Sequence, residues 1–576
     1  MKVTDYLVRV LEERGVSHVF EMSGGMITHI LDSLYQRGTV RIVSMHHEQA
    51  AAFAADAFGR LTGIPGVAMG TSGPGATNLL TGVGSCYFDS SPAVFITGQV
   101  NRNEQKGDRQ IRQLGFQETD IVSMAKPITK AAWLVQTPEE IPELLDRAFT
   151  LAVSGRPGPV LVDIPMDVQR MDIAVPEPHS DIPRPQHSPA FTNTAAMEEL
   201  FDAMGRAERP LILVGGGIRA ARATALLRTF AQTVRVPVVN TLLAVDALPY
   251  TDPMHVGMLG SYGNRWANMA VGTSDFILVL GSRLDIRQTG ADTVAFKGDR
   301  TIFHVDCDPA ELNHRVVGCR TIVADVHSFL DAAVTLAQGR SWHEQTTWTA
   351  AIRRLRETWA DTKELADIEG INPNSFMHRL AAASAPAAAY VVDVGQHQMW
   401  AAQSLDLLPH QQFLTSGGMG SMGFSLPASI GAASVLAPRP IVLIAGDGSF
   451  QSNIQELQTV ARNHFPIKLV IINNNSHGMV RQFQQTYFDE RYQSTLWGYS
   501  APDFTRVSAA YRIPGETIRE DGEISDGLAW LWRDPSSPAL LQVMVDTYAN
   551  VYPKMAFGRP ITEMEPFATP IGMEGT

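Results

Sequence analysis

The segment from residue 440 to residue 475 constrains the fold more than any other part of the chain. The apolar run IVLIA leads into Gly-Asp-Gly at 446–448, helix-type sequence follows, and the second apolar run KLVIIN ends in three asparagines at 473–475. In a strand–helix–strand unit with parallel strands, both strands end at the same edge of the sheet. We therefore expect Asp447 and Asn474 to lie close together.

The residue types at that edge suit a metal ion and a phosphate group. Asp and Asn oxygens are good ligands for Mg²⁺, a hard cation that also binds phosphate oxygens. Gly446 and Gly448 let the backbone approach a phosphate, and the start of a helix favours negative charge. Gly-Asp-Gly alone is equally typical of a strand that ends in a plain turn. The spacing of 27 positions (474 − 447) between Asp447 and Asn474, together with the asparagine run, favours a metal–diphosphate site.

Similar short apolar runs, bounded by Gly or Pro, recur along the chain. They are VAMGTS at 67–72, VFITG at 94–98, PVLVDIP at 159–165, PLILVGGG at 210–217, FILVLGS at 276–282 and YVVDVG at 390–395. Such near-continuous apolar strands are typical of parallel sheets that are buried on both faces. Helical stretches alternate with them. The pattern predicts an α/β fold of doubly wound parallel sheets.

Two breaks divide the chain of 576 residues. The segment 176–189 contains five prolines, too many for a helix or a central strand, and is predicted to be a linker. A charged, Trp-bearing stretch between about 338 and 375 is predicted to be helical. At roughly 100–200 residues per domain, we expect three α/β domains. Their predicted limits are 1–175, 190–335 and 370–550, and a tail follows at 551–576.

Composition excludes several classes of function. The net charge of −13 argues against a nucleic-acid or anionic-membrane partner, which would require clustered Lys and Arg. No apolar run approaches the roughly 20 residues of a membrane helix, and the amino terminus lacks the apolar core of a signal peptide. Cys86, Cys307 and Cys319 form no CxxC pair, as expected in a reduced cytoplasmic protein.

The run GDGSF…NIQELQTVARNHFPIKLVIINNN…GMV resembles the thiamine-diphosphate (ThDP) motif of the acetohydroxyacid synthase (acetolactate synthase) family. The resemblance extends over nearly the whole chain and implies pyrimidine-binding, central and diphosphate-binding domains. It implies Mg²⁺ bound by Asp447, Asn474 and the backbone carbonyl of Ser476. Met422 matches the bulky residue that holds ThDP in its bent form, although a methionine is also a common core filler. The implied ThDP contacts are Gly420, Met422, Gly446, Gly448, Ser449 and Met479.

ThDP chemistry requires a carboxyl group that hydrogen-bonds the aminopyrimidine and assists proton removal from the thiazolium. Glu48, in the run HHEQAAAFAADAFGR, precedes an Ala-rich helix. A glutamate in a first helical turn is also explained by the helix dipole alone. This run and TSGPGATN at 71–78 resemble the family's pyrimidine-binding domain, which implies that Glu48 is the activator. The resemblance further implies a homodimer or homotetramer, with Glu48 acting on the cofactor of a partner subunit.

Three more residues of this domain match the family's reaction side. They are Gln99, Phe116 and Gln117. The latter two follow KGDRQIRQLG, which looks like an insertion relative to a standard member of the family.

The middle region resembles the family's FAD-binding domain. The run PLILVGGGIRAARA is a strand, three glycines and a helix, which alone is weak evidence for a dinucleotide site. Its companions are GMLGSYGN, GSRLDIRQTG and FHVDCDP. A domain that kept this fold but binds ADP or no flavin is the alternative. The implied flavin contacts are Arg156, Gly215, Gly216, Gly217, Thr241, Leu242, Gly257, Met258, Leu259, Gly281, Arg283, Asp285, Arg287, Asp306 and Asp325.

The expected acceptor pocket departs from the family pattern. It comprises Met166, Arg287, Met479 and Phe483. Phe483 stands where the family has Trp, and Met166 stands where it has Lys, whereas the cationic Arg287 is kept. The pocket is therefore less bulky and carries one positive charge fewer, which favours a larger or less anionic acceptor.

Three functions remain open. The first is a carboligase that decarboxylates pyruvate and forms acetolactate. The second is a carboligase that transfers the two-carbon unit to another ketone. The chain resembles acetolactate synthase-like proteins of polysaccharide gene clusters in the runs KGDRQIRQLGFQETDIV and VYPKMAFGRP. This resemblance implies a nucleotide-linked keto sugar as the acceptor, as in yersiniose formation. The third is a flavin-dependent oxidase of the pyruvate oxidase type.

Overall fold

The computed structural model describes residues 1–174 and 190–574. The predicted linker at 176–189 lies outside the described residues. Three six-stranded sheets, each wholly parallel, are present with flanking helices, which confirms the predicted α/β, doubly wound fold class. Within the described ranges, no helix combines the length and apolar character needed to cross a membrane.

The first sheet lies in the amino-terminal region. Its strands are β1 (His18–Glu21), β2 (Arg41–Ser44), β3 (Gly66–Gly70), β4 (Ala93–Gln99), β5 (Ala131–Leu134) and β6 (Pro159–Pro165). Their order is β2-β1-β3-β4-β6-β5. The helices of this region are α1 (Val3–Glu13), α2 (Thr28–Arg37), α3 (Glu48–Thr62), α4 (Pro74–Asp89), α5 (Ile121–Ala125), α6 (Ile141–Val153) and α7 (Met166–Gln169).

The second sheet has the strand order of dinucleotide-binding folds. Its strands are β7 (Pro210–Val214), β8 (Val238–Asn240), β9 (His255–Met258), β10 (Phe276–Leu280), β11 (Thr301–Asp306) and β12 (Arg320–Val323). The order β12-β11-β10-β7-β8-β9 reverses between β7 and β10, and ligands bind at such a reversal point. The helices are α8 (Thr194–Arg206), α9 (Gly217–Ala220), α10 (Thr224–Val234), α11 (Arg265–Thr273), α12 (Ile286–Thr289), α13 (Thr293–Lys297) and α14 (Val326–Ala337).

The third sheet repeats the topology of the first, although the sequence shows no repeat. Its strands are β13 (Ala389–Val392), β14 (Gln412–Thr415), β15 (Ile441–Gly446), β16 (Ile467–Asn473), β17 (Gly515–Ile518) and β18 (Ala539–Met544). The order is β14-β13-β15-β16-β18-β17. Helix α15 (Thr346–Thr358) lies in the stretch 338–375 that was predicted to be helical, and its Trp348 and Ile352 share an apolar core with Trp266 of the second region. The helices of the third region are α16 (Pro373–Ala383), α17 (Gln396–Ser404), α18 (Ser425–Leu436), α19 (Asp447–Gln451), α20 (Leu457–Asn463), α21 (Gly478–Tyr487), α22 (Phe504–Ala510) and α23 (Ile524–Leu531).

Short 3-10 helices join many of these elements. They are Gly25–Ile27, Arg102–Glu104, Lys126–Ile128, Pro138–Glu140, Leu242–Ala244, Pro309–Glu311, Asp361–Lys363, Ile454–Glu456 and Asp521–Glu523. The tail forms the antiparallel pair β19 (Lys554–Met555) and β20 (Met564–Glu565). It docks on the middle region, where the Met555 amide donates to the Ser261 carbonyl at 2.8 Å.

Helices α3 and α18 join the first and third regions. A Cβ atom added at Gly431 of α18 would lie 2.1 Å from the carbonyl oxygen of Ala54 in α3, so the two backbones are in direct contact. The buried alanines of α3 belong to one apolar core that continues into the third sheet. Only small side chains allow this approach, which explains the Ala-rich sequence that follows Glu48.

Candidate active site

Asp447, Asn474 and Ser476 come together at the carboxyl edge of the third sheet. Asp447 begins α19 directly after β15, and the other two follow β16. The Ser476 amide donates to Asn474 Oδ1 at 3.2 Å, and the hydroxyl of Tyr499 donates to Asp447 Oδ2 at 2.9 Å. Burial raises the pKa of Asp447 to about 6, while hydrogen bonds from Tyr499 and from the backbone of Gly448 and Ser476 oppose the rise.

The glycines of this turn have a second role that the sequence did not reveal. A Cβ atom at Gly446 would lie 2.8 Å from the ring of His397, and one at Gly448 would lie 2.7 Å from the ring of His477. The His477 ring is itself packed 4.4 Å from that of Tyr499. A side chain at either glycine would therefore collide with an imidazole ring, and it would also hinder any phosphate that approaches the turn.

Gln396 and His397 belong to the site although sequence reasoning missed them. Gln396 Oε1 accepts a hydrogen bond from Asn474 Nδ2 at 2.9 Å. His397 is buried, and its Nε2 has no hydrogen-bond partner among the described residues. Burial lowers the pKa of His397 to about 3, so the ring is neutral. The signal available in the sequence was the Gly-Gln-His run at the end of the strand YVVDV.

Glu48 begins α3 and is almost wholly buried. Its Oε2 accepts a hydrogen bond from Asn78 Nδ2 at 3.0 Å, and Gly75 lies against its other oxygen. The residues that follow Glu48 in the sequence are mostly apolar, and the structure adds one polar neighbour, the amide of Asn78 from α4. No described contact joins Glu48 to Asp447 or Asn474 of the same chain.

Gln99, the last residue of β4, is held by the buried carboxyl group of Asp163 in β6. Its Nε2 donates to Asp163 Oδ2 at 2.9 Å and to the Thr119 carbonyl at 2.8 Å. Thr97 Oγ1 donates to the other oxygen of Asp163 at 2.7 Å. Burial raises the pKa of Asp163 to about 7. The amide of Gln99 thus ties the start of the loop 100–120 to its end.

The other predicted site residues of the first and third regions differ in exposure in the single chain. Phe116 is 79% exposed, and Met422 is 39% exposed. Gln117 adopts φ 67° and packs against Gly73. Ser449 is buried, and its hydroxyl accepts from the Gly446 amide at 3.2 Å, whereas Gly420 adopts φ 66° in the loop before α18.

A cavity of ≈ 1470 Å³ lies where the three regions meet. It is larger than the roughly 300–1,000 Å³ of ordinary small-molecule pockets. Of the predicted flavin contacts, only Gly257 does not line it. Those that do are Arg156, Gly215, Gly216, Gly217, Thr241, Leu242, Met258, Leu259, Gly281, Arg283, Asp285, Arg287, Asp306 and Asp325. Gly420 and Met479 of the third region also line it.

Close approach of two loops at the sheet reversal point shapes this cavity. A Cβ atom at Gly217 would lie 2.6 Å from Gly281 Cα, and one at Gly215 would lie 2.3 Å from the Gly281 carbonyl oxygen. Gly281 adopts φ 56°. These three positions exclude side chains, so the backbone forms an open cradle at the ends of β7 and β10.

Two of the arginines at the cavity, Arg156 and Arg283, are already paired within the chain. Arg156 contacts Glu311 at 2.6 Å and Asp308 at 3.3 Å, and Arg283 contacts Asp285 at 3.3 Å. Asp306 ends β11, and burial raises its pKa.

The predicted acceptor-pocket residues do not form one cavity in a single chain. Arg287 and Met479 line the large cavity. Phe483 lies one turn further along α21, with its ring 4.8 Å from that of Tyr487. Met166 begins α7 after β6, and it does not line the large cavity.

Comparisons with known proteins match all three regions to one family. The amino-terminal TPP binding domain of the thiamine pyrophosphate enzymes matches residues 1–124, their central domain matches 197–333, and their carboxyl-terminal TPP binding domain matches 393–543.

Several acetolactate synthases are similar along nearly their whole length. The large subunit from Parasynechococcus marenigrum (strain WH8102) is 39% identical over 97% of this chain and 90% of the relative. The isozyme 2 large subunit from Escherichia coli (strain K12) is 36% identical over 98% of this chain and 99% of the relative. The large subunit from Corynebacterium glutamicum is 36% identical over 97% and 89%.

The buried carboxyl group of Asp163 predicts a pH effect on stability. Its folded pKa of about 7 exceeds the roughly 4 of an unfolded Asp, so its contribution to stability is present below pH ~4 and is lost as pH rises through ~7. We expect the free energy of unfolding of Asp163→Asn, relative to wild type, to rise with pH by up to about 1.4 kcal/mol per unit over this range. Denaturant titrations across that range test this, with the exposed Asp489→Asn as control. Parallel pH profiles for wild type and Asp163→Asn would contradict the assignment.

Proposed function

Because this chain belongs to the thiamine-diphosphate-dependent enzymes of the acetolactate synthase family, and is a carboligase that decarboxylates pyruvate, we propose how its own residues serve that reaction. The observation that carries the proposal is the cluster of Asp447, Asn474 and Ser476 at the carboxyl edge of the third sheet. We propose that it binds Mg²⁺ through two side-chain oxygens and the Ser476 carbonyl. The proposed domains are a pyrimidine-binding domain at 1–175, a central domain at 190–335 and a diphosphate-binding domain at 370–550, followed by the tail at 551–576. We also propose that the protein is cytoplasmic.

The residues around this cluster fit a diphosphate group. The neutral His397 has a buried Nε2 without a hydrogen-bond partner among the described residues, which a phosphate oxygen would satisfy as acceptor. Gly446 and Gly448 carry no Cβ atom at the start of α19, where negative charge is favoured. ThDP, when bound, supplies the nucleophilic thiazolium carbon at which a 2-keto acid loses CO₂.

We propose that Glu48 holds and moves the proton of the aminopyrimidine ring. Asn78 fixes one oxygen of its carboxyl group, and Glu48 is almost wholly buried. Glu48 and the Asp447 cluster belong to different sheets and share no described contact within the chain. A homodimer or homotetramer would bring Glu48 of one protomer to the cofactor of its partner. The side chains of Phe116 and Met422 are exposed in the single chain and therefore available to such an interface.

We also propose that the large cavity binds FAD. Its volume of ≈ 1470 Å³, the strand order of the second sheet and the loop approach at Gly217 and Gly281 all suit a dinucleotide. Asp306, which ends β11 and lines the cavity, is proposed to accept a hydrogen bond from a ribose hydroxyl. The flavin is proposed to be structural, and a pyruvate oxidase activity is the alternative.

The acceptor is proposed to be a carbonyl compound, either a second pyruvate or a ketone. Arg287 lines the cavity beside Met479, whereas Phe483 and Met166 offer no charge. Acetolactate formation from two pyruvates and transfer to a ketone such as a nucleotide-linked keto sugar are both compatible with this pocket. Incubation with pyruvate and a panel of acceptors, followed by mass spectrometry of the products, distinguishes them.

Glu48→Gln should fold and bind ThDP but lose proton transfer. General acid–base catalysis contributes roughly 10²- to 10⁴-fold, so carboligation should fall by at least that range. Steady-state rates and ThDP titrations measure the two properties separately. The exposed Glu139→Gln should behave as wild type. Near-normal turnover of Glu48→Gln would reject the role of Glu48.

Asp447→Ala should weaken ThDP retention and raise the Mg²⁺ concentration needed for activity, because the diphosphate would lose its bridging metal. Desalting followed by assay of bound ThDP measures retention. Asp526→Ala, at an exposed position of the same domain, is the control. If Asp447→Ala keeps ThDP after desalting without Mg²⁺, Asp447 is not a metal ligand.

Purified protein should be yellow, and its flavin absorbance should persist during anaerobic turnover of pyruvate. Gly217→Val should lose the flavin, because a Cβ at this position meets Gly281 Cα at 2.6 Å. Absorbance spectra under nitrogen measure both effects. Bleaching at the turnover rate would favour the oxidase, and a colourless wild type would refute flavin binding.

The pair Phe483→Trp and Met166→Lys should shift the enzyme toward 2-keto acid acceptors. An apolar size change alters discrimination by only roughly 10- to 200-fold, and the added cation should contribute more for a charged acceptor in a dry pocket. Competition between 2-ketobutyrate and a neutral 1,2-diketone measures the shift, with the exposed Tyr35→Trp as control. A wild type that strongly prefers 2-ketobutyrate and ignores neutral ketones would show that these two positions do not set specificity.

A further inference from the structure

A second, smaller cavity of ≈ 180 Å³ lies between the middle and third regions. It is bounded by β9, by the end of α15 and by α16, and it shares only Met258 with the large cavity. A cavity of about 150 Å³ is enough to hold a benzene-sized molecule. Unlike that apolar example, this cavity is lined by Tyr250, His255, Arg356, Asp361 and His378 among others.

Arg356 provides a cation without a carboxylate partner. Its guanidinium group lies 4.5 Å from the ring centroid of Tyr250 and 5.5 Å from that of Trp266. No ion pair of Arg356 occurs within residues 1–174 and 190–574, whereas the neighbouring Arg265 is paired with Glu364 at 2.7 Å. A charge-assisted hydrogen bond to Arg356 is therefore available to a ligand.

His255 faces the same cavity with an unused ring nitrogen. Its Nδ1 is buried and has no hydrogen-bond partner in the described part of the chain. Burial, reinforced by Arg356, lowers the pKa of His255 to about 4. The ring is therefore neutral, and it can donate one N–H to an oxygen atom in the cavity.

Two other titratable groups that line the cavity, Asp361 and His378, are already engaged. The two ring nitrogens of His378 lie 2.9 Å from Asp361 and 2.9 Å from Asp406. These carboxylates raise the pKa of His378 to about 10 against the effect of burial, so the ring is an imidazolium between two anions. Asp361 also accepts from the hydroxyl of Ser404. Of the titratable groups that line the cavity, Arg356 and His255 thus keep free hydrogen-bonding capacity.

We propose that this cavity binds a small oxyanion, a carboxylate or phosphate group, between Arg356 and His255. The volume limits the ligand to a few non-hydrogen atoms beyond the anionic group. The site is separate from the proposed diphosphate site at Asp447, and it does not depend on the identity of the acceptor.

The test is calorimetric titration of the holoenzyme with sodium phosphate and, separately, with sodium acetate at constant ionic strength. Saturating ThDP, Mg²⁺ and FAD keep the proposed cofactor sites filled. We expect one anion to bind per chain, and the affinity to fall at least about tenfold in Arg356→Gln. Arg354→Gln, an exposed position on the same helix, should bind as wild type. Binding of phosphate alone identifies a phosphate site, and binding of acetate alone identifies a carboxylate site.

His255→Phe is a second variant that leaves all ion pairs of the region intact, and it should also weaken binding. It keeps the test decisive if Arg356→Gln does not fold. Absence of saturable binding of both anions to wild type would overturn the proposal. Equal affinity in wild type and in whichever of the two variants folds would overturn it as well.

Discussion

The backbone contact between α3 and α18 is the constraint on which the catalytic half of the molecule depends. Gly431 of α18 lies so close to the backbone of Ala54 in α3 that no side chain fits between the two helices. The surrounding alanines are fully buried. Overpacking at such a contact typically costs 1–3 kcal/mol. Because α3 begins at Glu48, and α18 follows the loop that carries Met422, the same contact fixes the proposed activator and the proposed wedge residue relative to each other within one chain.

The local sequence pattern was sufficient to predict the strands and the residues that meet at the carboxyl edge of the third sheet. The apolar runs around 440–475 are strands because their residues suit burial on both faces, and parallel pairing then places Asp447 beside Asn474 and Ser476. The order in which the strands pair could not be predicted from the sequence. The third sheet has the same strand order as the first, although the sequence contains no repeat. Strand order depends on packing between distant helices such as α3 and α18, which local periodicity does not encode.

The same limit explains what sequence reasoning missed in the site. Gly446 and Gly448 were interpreted from their neighbours in the chain, but the atoms that exclude a Cβ there belong to His397 and His477. Gln99 was identified by resemblance, and its partner Asp163, 64 positions away, was not. Both cases involve contacts between the ends of different strands. They follow from topology, so they become visible only when the sheet order is known.

The tail extends this dependence to the acceptor side. Lys554, almost wholly buried, lies 3.3 Å from Glu565 and 3.5 Å from Glu574, and 5.0 Å from the ring of Tyr487. Removing one partner of a buried ion pair leaves an uncompensated charge and is strongly destabilising. Tyr487 lies at the end of α21, one turn beyond Phe483, and their rings are in contact. The position of Phe483 therefore depends on a charge pair in the tail as well as on its own helix. A substitution at Phe483 acts on a side chain that the tail holds in place, so this proposed acceptor-pocket residue and the docking of the tail are coupled through the face of α21.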